Sequence, residues 1–188
     1  MKDLNHIIQQ CIQRKRPAQQ QLYSYTYEKL CTAVAVYAKD NSERDWIFNL
    51  GMMRIFTSLE NFSTNTNYLG WARTILVRSS IDHYRSQKKH KDNLTAIEVQ
   101  DYNVSSQDFE EMMNNLDAEV VIQVLQKLQE KERIVFSMYE LDGYTHKEIQ
   151  ELTGINSNTS KWLLSKAKKS LKELVMNLET LDKNGYGL

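Results

Sequence analysis

Apolar residues recur at helical spacing through most of the chain. Leu4, Ile7, Ile8, Cys11 and Ile12 fall at i, i+3, i+4, i+7 and i+8, the stripe of an amphipathic helix. Pro17 ends that helix or separates it from the next. Leu22, Leu30, Ala33, Val34 and Tyr37 predict a longer second helix. Trp46, Ile47, Leu50, Met53, Ile55 and Phe56 predict a third, and Trp71, Ile75, Leu76, Ile81 and Tyr84 a fourth. Sustained periodicity then lapses from Asp92 to about Asp108, a stretch rich in Asn, Gln, Ser and Asp that reads as a flexible linker. It resumes near Glu110 with Leu116, Val120, Val121, Val124 and Leu128, then Ile134, Val135, Met138, Tyr139 and Leu141. The expected architecture is all-α: a helical bundle over residues 1–91, a linker over 92–109, a second helical domain over 110–178 and a tail over 179–188.

Within that second domain, Thr145 followed by Glu148 forms a capping-box pattern, so a helix should begin at about Thr145. Ile149 and Leu152 give it one apolar face, and Gly154 suits the left-handed residue that closes a helix. Asn156 offers the cap of a further helix, with Leu164, Ala167, Leu171 and Leu174 on its packed side. Lys161, Lys166, Lys168, Lys169 and Lys172 fall on the same helix, with no acid from Lys161 to Lys172. Lysines on such a helix often mark only a solvated face. A capped first helix, a Gly154-Ile155-Asn156 turn and the lysine run together predict a helix-turn-helix DNA reader. Its second helix would present Ser157, Asn158, Thr159, Lys161 and Trp162 to base edges.

Composition narrows the class further. The chain has 188 residues, one proline and six glycines, and a formal net charge of zero. Charge is segregated nonetheless: Arg73, Arg78, Arg85, Lys88, Lys89 and Lys91 make the end of the first domain basic, and acids dominate from Asn93 to Glu132. Cys11 and Cys31 do not make a disulfide framework or zinc knuckle, and the longest apolar run is far short of a membrane span. With no signal-peptide layout at the N-terminus, the expected location is cytoplasmic. No phosphate-cradling glycine loop, metal-binding motif or nucleophile–base pair is legible, so neither an active site nor a cofactor nor a small-molecule substrate is expected.

Near the end of the first domain, aromatic and basic residues interleave: Tyr68, Trp71, His83 and Tyr84 with Arg73, Arg78 and Arg85. Aromatic faces in a cationic groove trap unstacked bases at roughly 1–3 kcal/mol per base. Trp71 and Tyr84 can equally be core residues of the fourth helix.

Two blocks resemble the extracytoplasmic-function class of bacterial RNA polymerase sigma factors. One runs from Leu128-Gln129-Glu130-Lys131-Glu132-Arg133-Ile134-Val135-Phe136 through Gly143-Tyr144-Thr145-His146-Lys147-Glu148-Ile149 to Lys166-Ala167-Lys168, similar to region 4. The other includes Leu22-Tyr23, Tyr37-Ala38-Lys39, Phe56, Leu59, Phe62, Gly70-Trp71-Ala72-Arg73 and Ile81-Asp82-His83-Tyr84-Arg85, similar to region 2. The resemblance implies a non-enzymatic promoter-specificity subunit. Region 4 would read the minus-35 element through Ser157, Asn158, Thr159, Lys161, Trp162, Lys166 and Lys168. Region 2 would capture the minus-10 element through Tyr68, Trp71, Arg73, Arg78, Asp82 and Arg85. Core polymerase would be bound through Glu43, Asp45, Trp46, Asn49 and Leu50, and the implied partners are the polymerase clamp and flap, promoter DNA and an anti-sigma factor.

The sequence departs from the family pattern at particular positions. The clamp-binding helix reads Asp45-Trp46-Ile47-Phe48-Asn49-Leu50, with Leu50 where an acid is usual. Arg78 replaces an Asn of the base-capture region, and Gln150 and Leu163 replace a small residue and an Arg of the reader. These changes keep open a sigma-like mimic that binds an anti-sigma factor without initiating transcription. An ordinary helix-turn-helix repressor is a third reading.

Overall fold

The computed structural model describes residues 4–63, 66–88, 109 and 116–183, and every regular element among them is helical. The chain divides into two units, Met1–Gln87 and Lys88–Leu188. The expected linker, apart from Phe109, and the side chains of the expected tail lie outside the described residues.

In the first unit, α1 (Leu4–Ile12) buries Ile8 and Cys11, and burial pushes the Cys11 thiol up to about 11. Pro17 sits in the first turn of α2 (Arg16–Ala35), where its missing N–H costs no helical bond. Leu22, Leu30 and Val34 face inward, as the spacing predicts, and Tyr37 is buried just beyond the helix end. The third helix, α3 (Asn41–Ser58), starts at Asp40, whose carboxylate accepts from the Glu43 N–H at 2.8 Å. It buries Ile47, Phe48, Met52 and Ile55 and then tightens into a 3-10 turn at Leu59–Asn61. Trp46 and Met53, read from sequence as part of the apolar pattern, are instead 51% and 66% exposed. The reason is packing: Gly51 lets α3 approach α4 (Tyr68–Lys88) so closely that a Cβ there would lie 2.5 Å from Leu76 Cδ2. The contact selects the Phe48–Met52–Ile55 face and turns Trp46 and Met53 outward.

The second unit contains α5 (Ala118–Gln126), α6 (Glu130–Phe136), α7 (His146–Thr153) and α8 (Ser157–Lys183). α8 is the spine against which α5, α6 and α7 all pack. Val124, Leu125, Ile134, Val135, Ile149, Leu163, Ala167 and Leu171 close the core. After α6 the chain widens into a π turn at Ser137–Leu141, closed by the Asp142 N–H donating to the Ser137 carbonyl at 3.1 Å. The wider turn shifts the helical register. Ser137 and Met138 stay buried, and Tyr139 and Leu141, expected in the core, emerge at the surface.

Candidate nucleic-acid interface

The helix-turn-helix is built by hydrogen bonds that its sequence specifies. Glu148 reaches back to the Thr145 N–H at 2.8 Å, and the Thr145 hydroxyl accepts from the Glu148 N–H, completing the capping box. Gly154 closes α7 at φ 74° with its N–H on the Gln150 carbonyl. The Asn156 side chain then accepts from the Asn158 N–H at 2.9 Å, capping α8. Across the turn, Gln150 Oε1 accepts from both the N–H and the hydroxyl of Ser157, at 2.9 and 3.0 Å. His146 Nδ1 lies 2.9 Å from the Ser160 hydroxyl, and its ring stacks on Tyr139 with centroids 4.4 Å apart. Gln150 is therefore a lock between the two helices. Its length lets it span them, a role the sequence reading left unassigned.

The predicted reader residues separate into two groups. Asn158 and Lys161 are exposed at the start of α8, and Thr159 and Trp162 are half-buried beside them. The Ser157 hydroxyl is turned back onto α7, so its part is to set the angle of the turn. Lys166 and Lys168, expected on phosphate, have partners within the fold. Lys166 pairs with Glu132 at 2.7 Å and lies 5.1 Å above the Trp162 ring, and Lys168 pairs with Glu140 at 2.8 Å and lies 5.4 Å from the Phe109 ring. Glu132 is buried, and Lys166 offsets part of the desolvation of its carboxylate.

In the first unit, Trp71, Arg78 and Arg85 recur every seven residues along α4, two turns apart, with Asp82 between them, and so form one stripe. Arg78 and Arg85 are exposed, and Trp71 is half-buried against Phe62 at 4.9 Å. Asp82 accepts from Arg54 at 2.6 Å. Arg73, two residues beyond Trp71, falls on another side of the helix. Tyr68, expected as a base-stacking face, lies in the core: it is 3% exposed, its hydroxyl is 2.7 Å from Thr26 Oγ1, and burial pushes its phenol up to about 12. Tyr84 is likewise buried.

The residues expected to meet polymerase also divide. Glu43 is an internal hub, with Oε1 2.9 Å from His83 Nε2 and Oε2 accepting from the Lys39 N–H at 2.7 Å. Burial pushes its carboxyl up, but the Lys39 N–H and His83 outweigh this and hold it below the usual range. Asp45 accepts from the Tyr27 hydroxyl and Arg44, and Asn49 accepts from the Tyr23 hydroxyl. Trp46, Leu50 and Met53, at i, i+4 and i+7, leave an apolar stripe on α3. Met53 was missed as a surface residue, although its spacing from Trp46 and Leu50 was in the sequence.

Among the described residues, no group of three or more His, Cys, Asp or Glu could hold a metal ion, and no helix is long and apolar enough to cross a membrane. Residues 118–171 match the family Sigma-70, region 4. The RNA polymerase sigma factor SigZ of Bacillus subtilis (strain 168) is 25% identical over 167 residues, spanning 88% of this chain and 92% of that protein. Two solved structures align with most of the chain. One is CnrH in complex with the cytosolic domain of CnrY, with TM-score 0.44 and 14% identity over 93% of this chain and 99% of that one. The other is the sigma factor RpoE in complex with the anti-sigma factor NepR from Bartonella quintana, with TM-score 0.40 and 18% identity over 84% and 96%.

Proposed function

We propose that this chain, an extracytoplasmic-function-like member of the bacterial RNA polymerase sigma factor family, acts as a dissociable subunit that brings core polymerase to a particular class of promoter. The observation that carries this reading is the locked helix-turn-helix inside residues 118–171, which leaves Asn158 and Lys161 exposed at the start of α8. In this geometry the N-terminal turn of the second helix enters the major groove, where an Asn amide pairs with an adenine edge and a Lys meets guanine or phosphate. That turn is assigned to the minus-35 element. The Trp71–Arg78–Arg85 stripe of α4 is assigned to the minus-10 strand, with Trp71 as the stacking face and the two guanidinium groups on the phosphates.

The stripe of exposed Trp46 and Met53 with half-buried Leu50 between them on α3 is the proposed docking surface for the polymerase clamp. It makes that interface more apolar than the acidic pattern usual in the family, and it is the surface an anti-sigma factor would have to cover to keep the subunit from polymerase. The same apolar character favours a second reading, a mimic that sequesters an anti-sigma factor and never engages polymerase.

One experiment separates the two. The purified chain is mixed with core polymerase and fragmented genomic DNA, and transcript 5′ ends are sequenced. Start sites that depend on the chain and share motifs at minus-10 and minus-35 support the sigma factor. Their absence beside an active control sigma, with retained binding to an anti-sigma protein, supports the mimic.

A further inference from the structure

Arg14 holds a backbone conformation that glycine ordinarily takes, with φ 59°, the one positive φ at a non-glycine residue among the described residues. Two hydrogen bonds impose it. The Lys15 N–H donates to the Gln10 carbonyl at 3.1 Å and the Arg14 N–H to the Cys11 carbonyl at 2.8 Å, the pair that closes a helix through a left-handed residue. Glycine fills that place without a Cβ penalty, and arginine is strained there. An arginine held where glycine would be unstrained directs attention to what its side chain reaches.

The Arg14 side chain reaches a cleft of about 570 Å³, which it lines with Arg16, Gln19, Phe56 and Glu60. Among the described residues, the side chains of Arg14, Arg16 and Gln19 form no hydrogen bond or ion pair. The two guanidinium groups share the cleft with one carboxylate, Glu60, which leaves an excess of positive charge, and each is a planar donor fork that matches phosphate oxygens. Phe56 and Ile12 supply an apolar wall, and Gln19 and Glu60 can meet hydroxyl or amino groups. The volume suits a small molecule.

We propose that this cleft binds a small phosphorylated ligand carrying a flat ring, of the nucleotide class, with Arg14 and Arg16 on the phosphates and Phe56 against the ring. The site belongs to the first unit alone, and its test requires neither polymerase nor promoter.

The test is calorimetric titration of ADP into the full chain, with thermal melts of each variant. Saturable binding is expected for the wild type, and adenosine should bind at least about tenfold more weakly because it lacks the charge-assisted contacts. Arg14→Gly should melt no lower than wild type, since the backbone strain is relieved, yet lose ADP affinity about tenfold or more. Arg16→Ala should weaken ADP as well, and Lys15→Ala, a neighbouring cation outside the cleft, should bind as the wild type does. The proposal is overturned by absent saturable binding at millimolar ADP, by unchanged ADP affinity in Arg14→Gly, by equal weakening in Lys15→Ala, or by pyrophosphate binding as tightly as ADP.

Discussion

Lys166 Nζ lies 2.7 Å from Oε1 of Glu132, whose side chain is only 3% exposed in the first turn of α6. The lysine itself is 41% exposed, so water screens one side of the pair and the protein encloses the other. Removing the cation leaves a carboxylate with its desolvation uncompensated, which costs about 3–5 kcal/mol for a fully buried pair and less here. Lys166→Met should lower the stability of the second unit by about 2 kcal/mol in urea unfolding, and Glu132→Leu added to it should recover much of the loss. A midpoint that does not move in Lys166→Met would free the lysine for a DNA contact after all.

Lys161 should behave in the opposite way. It is exposed at the start of α8. Lys161→Ala should leave unfolding within about 0.5 kcal/mol of wild type. It should also reduce the slope of log affinity against log salt for promoter DNA by about one, as expected for one lost phosphate contact. An unchanged slope would remove α8 from the proposed interface.

Much of this division was hidden in the sequence. The capping box, the Gly154 stop and the Asn156 cap are local, each decided by residues within a few positions, and all three can be read directly from residue type. Which lysine faces outward is a tertiary matter. It depends on where Glu132 and Glu140 are carried by α6 and the π turn, and helical periodicity assumes the regular turn that the chain abandons at Ser137. The same limit applies to Met53, which lies at the surface, and to Tyr68, which lies in the core. Spacing marks a residue as apolar and helical, but the close α3–α4 approach at Gly51 and the Thr26–Tyr68 hydrogen bond decide which face is the inner one.

His146 links the reader's geometry to pH. Burial, and then the positive charge of Lys161, hold its pKa below the ordinary imidazole value of about 6.5. Below that value the unfolded chain binds the proton more readily than the folded one, so stability rises with pH through this window. The contribution is complete above about pH 6.5 and is lost as pH falls toward the depressed folded value. The urea midpoint of the second unit should therefore drop between pH 7.5 and 5.5 by more in the wild type than in His146→Gln. Parallel drops in the two proteins would show that other groups carry the pH dependence.

The α3 stripe gives a prediction free of folding effects. Met53 is 66% exposed, so Met53→Glu should leave the melting temperature nearly unchanged. Placing a charge in the proposed apolar interface should weaken core polymerase binding by about tenfold or more, read by surface-immobilised polymerase or by competition with another sigma factor. Trp46→Ala should weaken it too, with a small loss of stability because its ring also packs 4.6 Å from that of His83. Wild-type affinity in Met53→Glu would place the polymerase contact elsewhere on the first unit.

Phe109 stands at the end of the stretch expected to be a linker, yet it is buried in the second unit. Its ring meets that of Phe136 edge-on at 5.8 Å, and Lys168, held by Glu140, lies 5.4 Å from the ring centroid. An aromatic anchored in this way contributes through apolar burial and through the cation above it. Phe109→Ala should destabilise the second unit by about 3 kcal/mol, the usual scale for deleting a buried phenyl group. Phe109→Leu should cost less, since it keeps most of the volume and loses the aromatic contacts. Hydrogen exchange would localise the effect: α6 and the adjoining part of α8 should lose protection in Phe109→Ala, with α1 to α4 unchanged. A loss below about 1 kcal/mol would mean that the phenyl group covers the α6 surface without stabilising it.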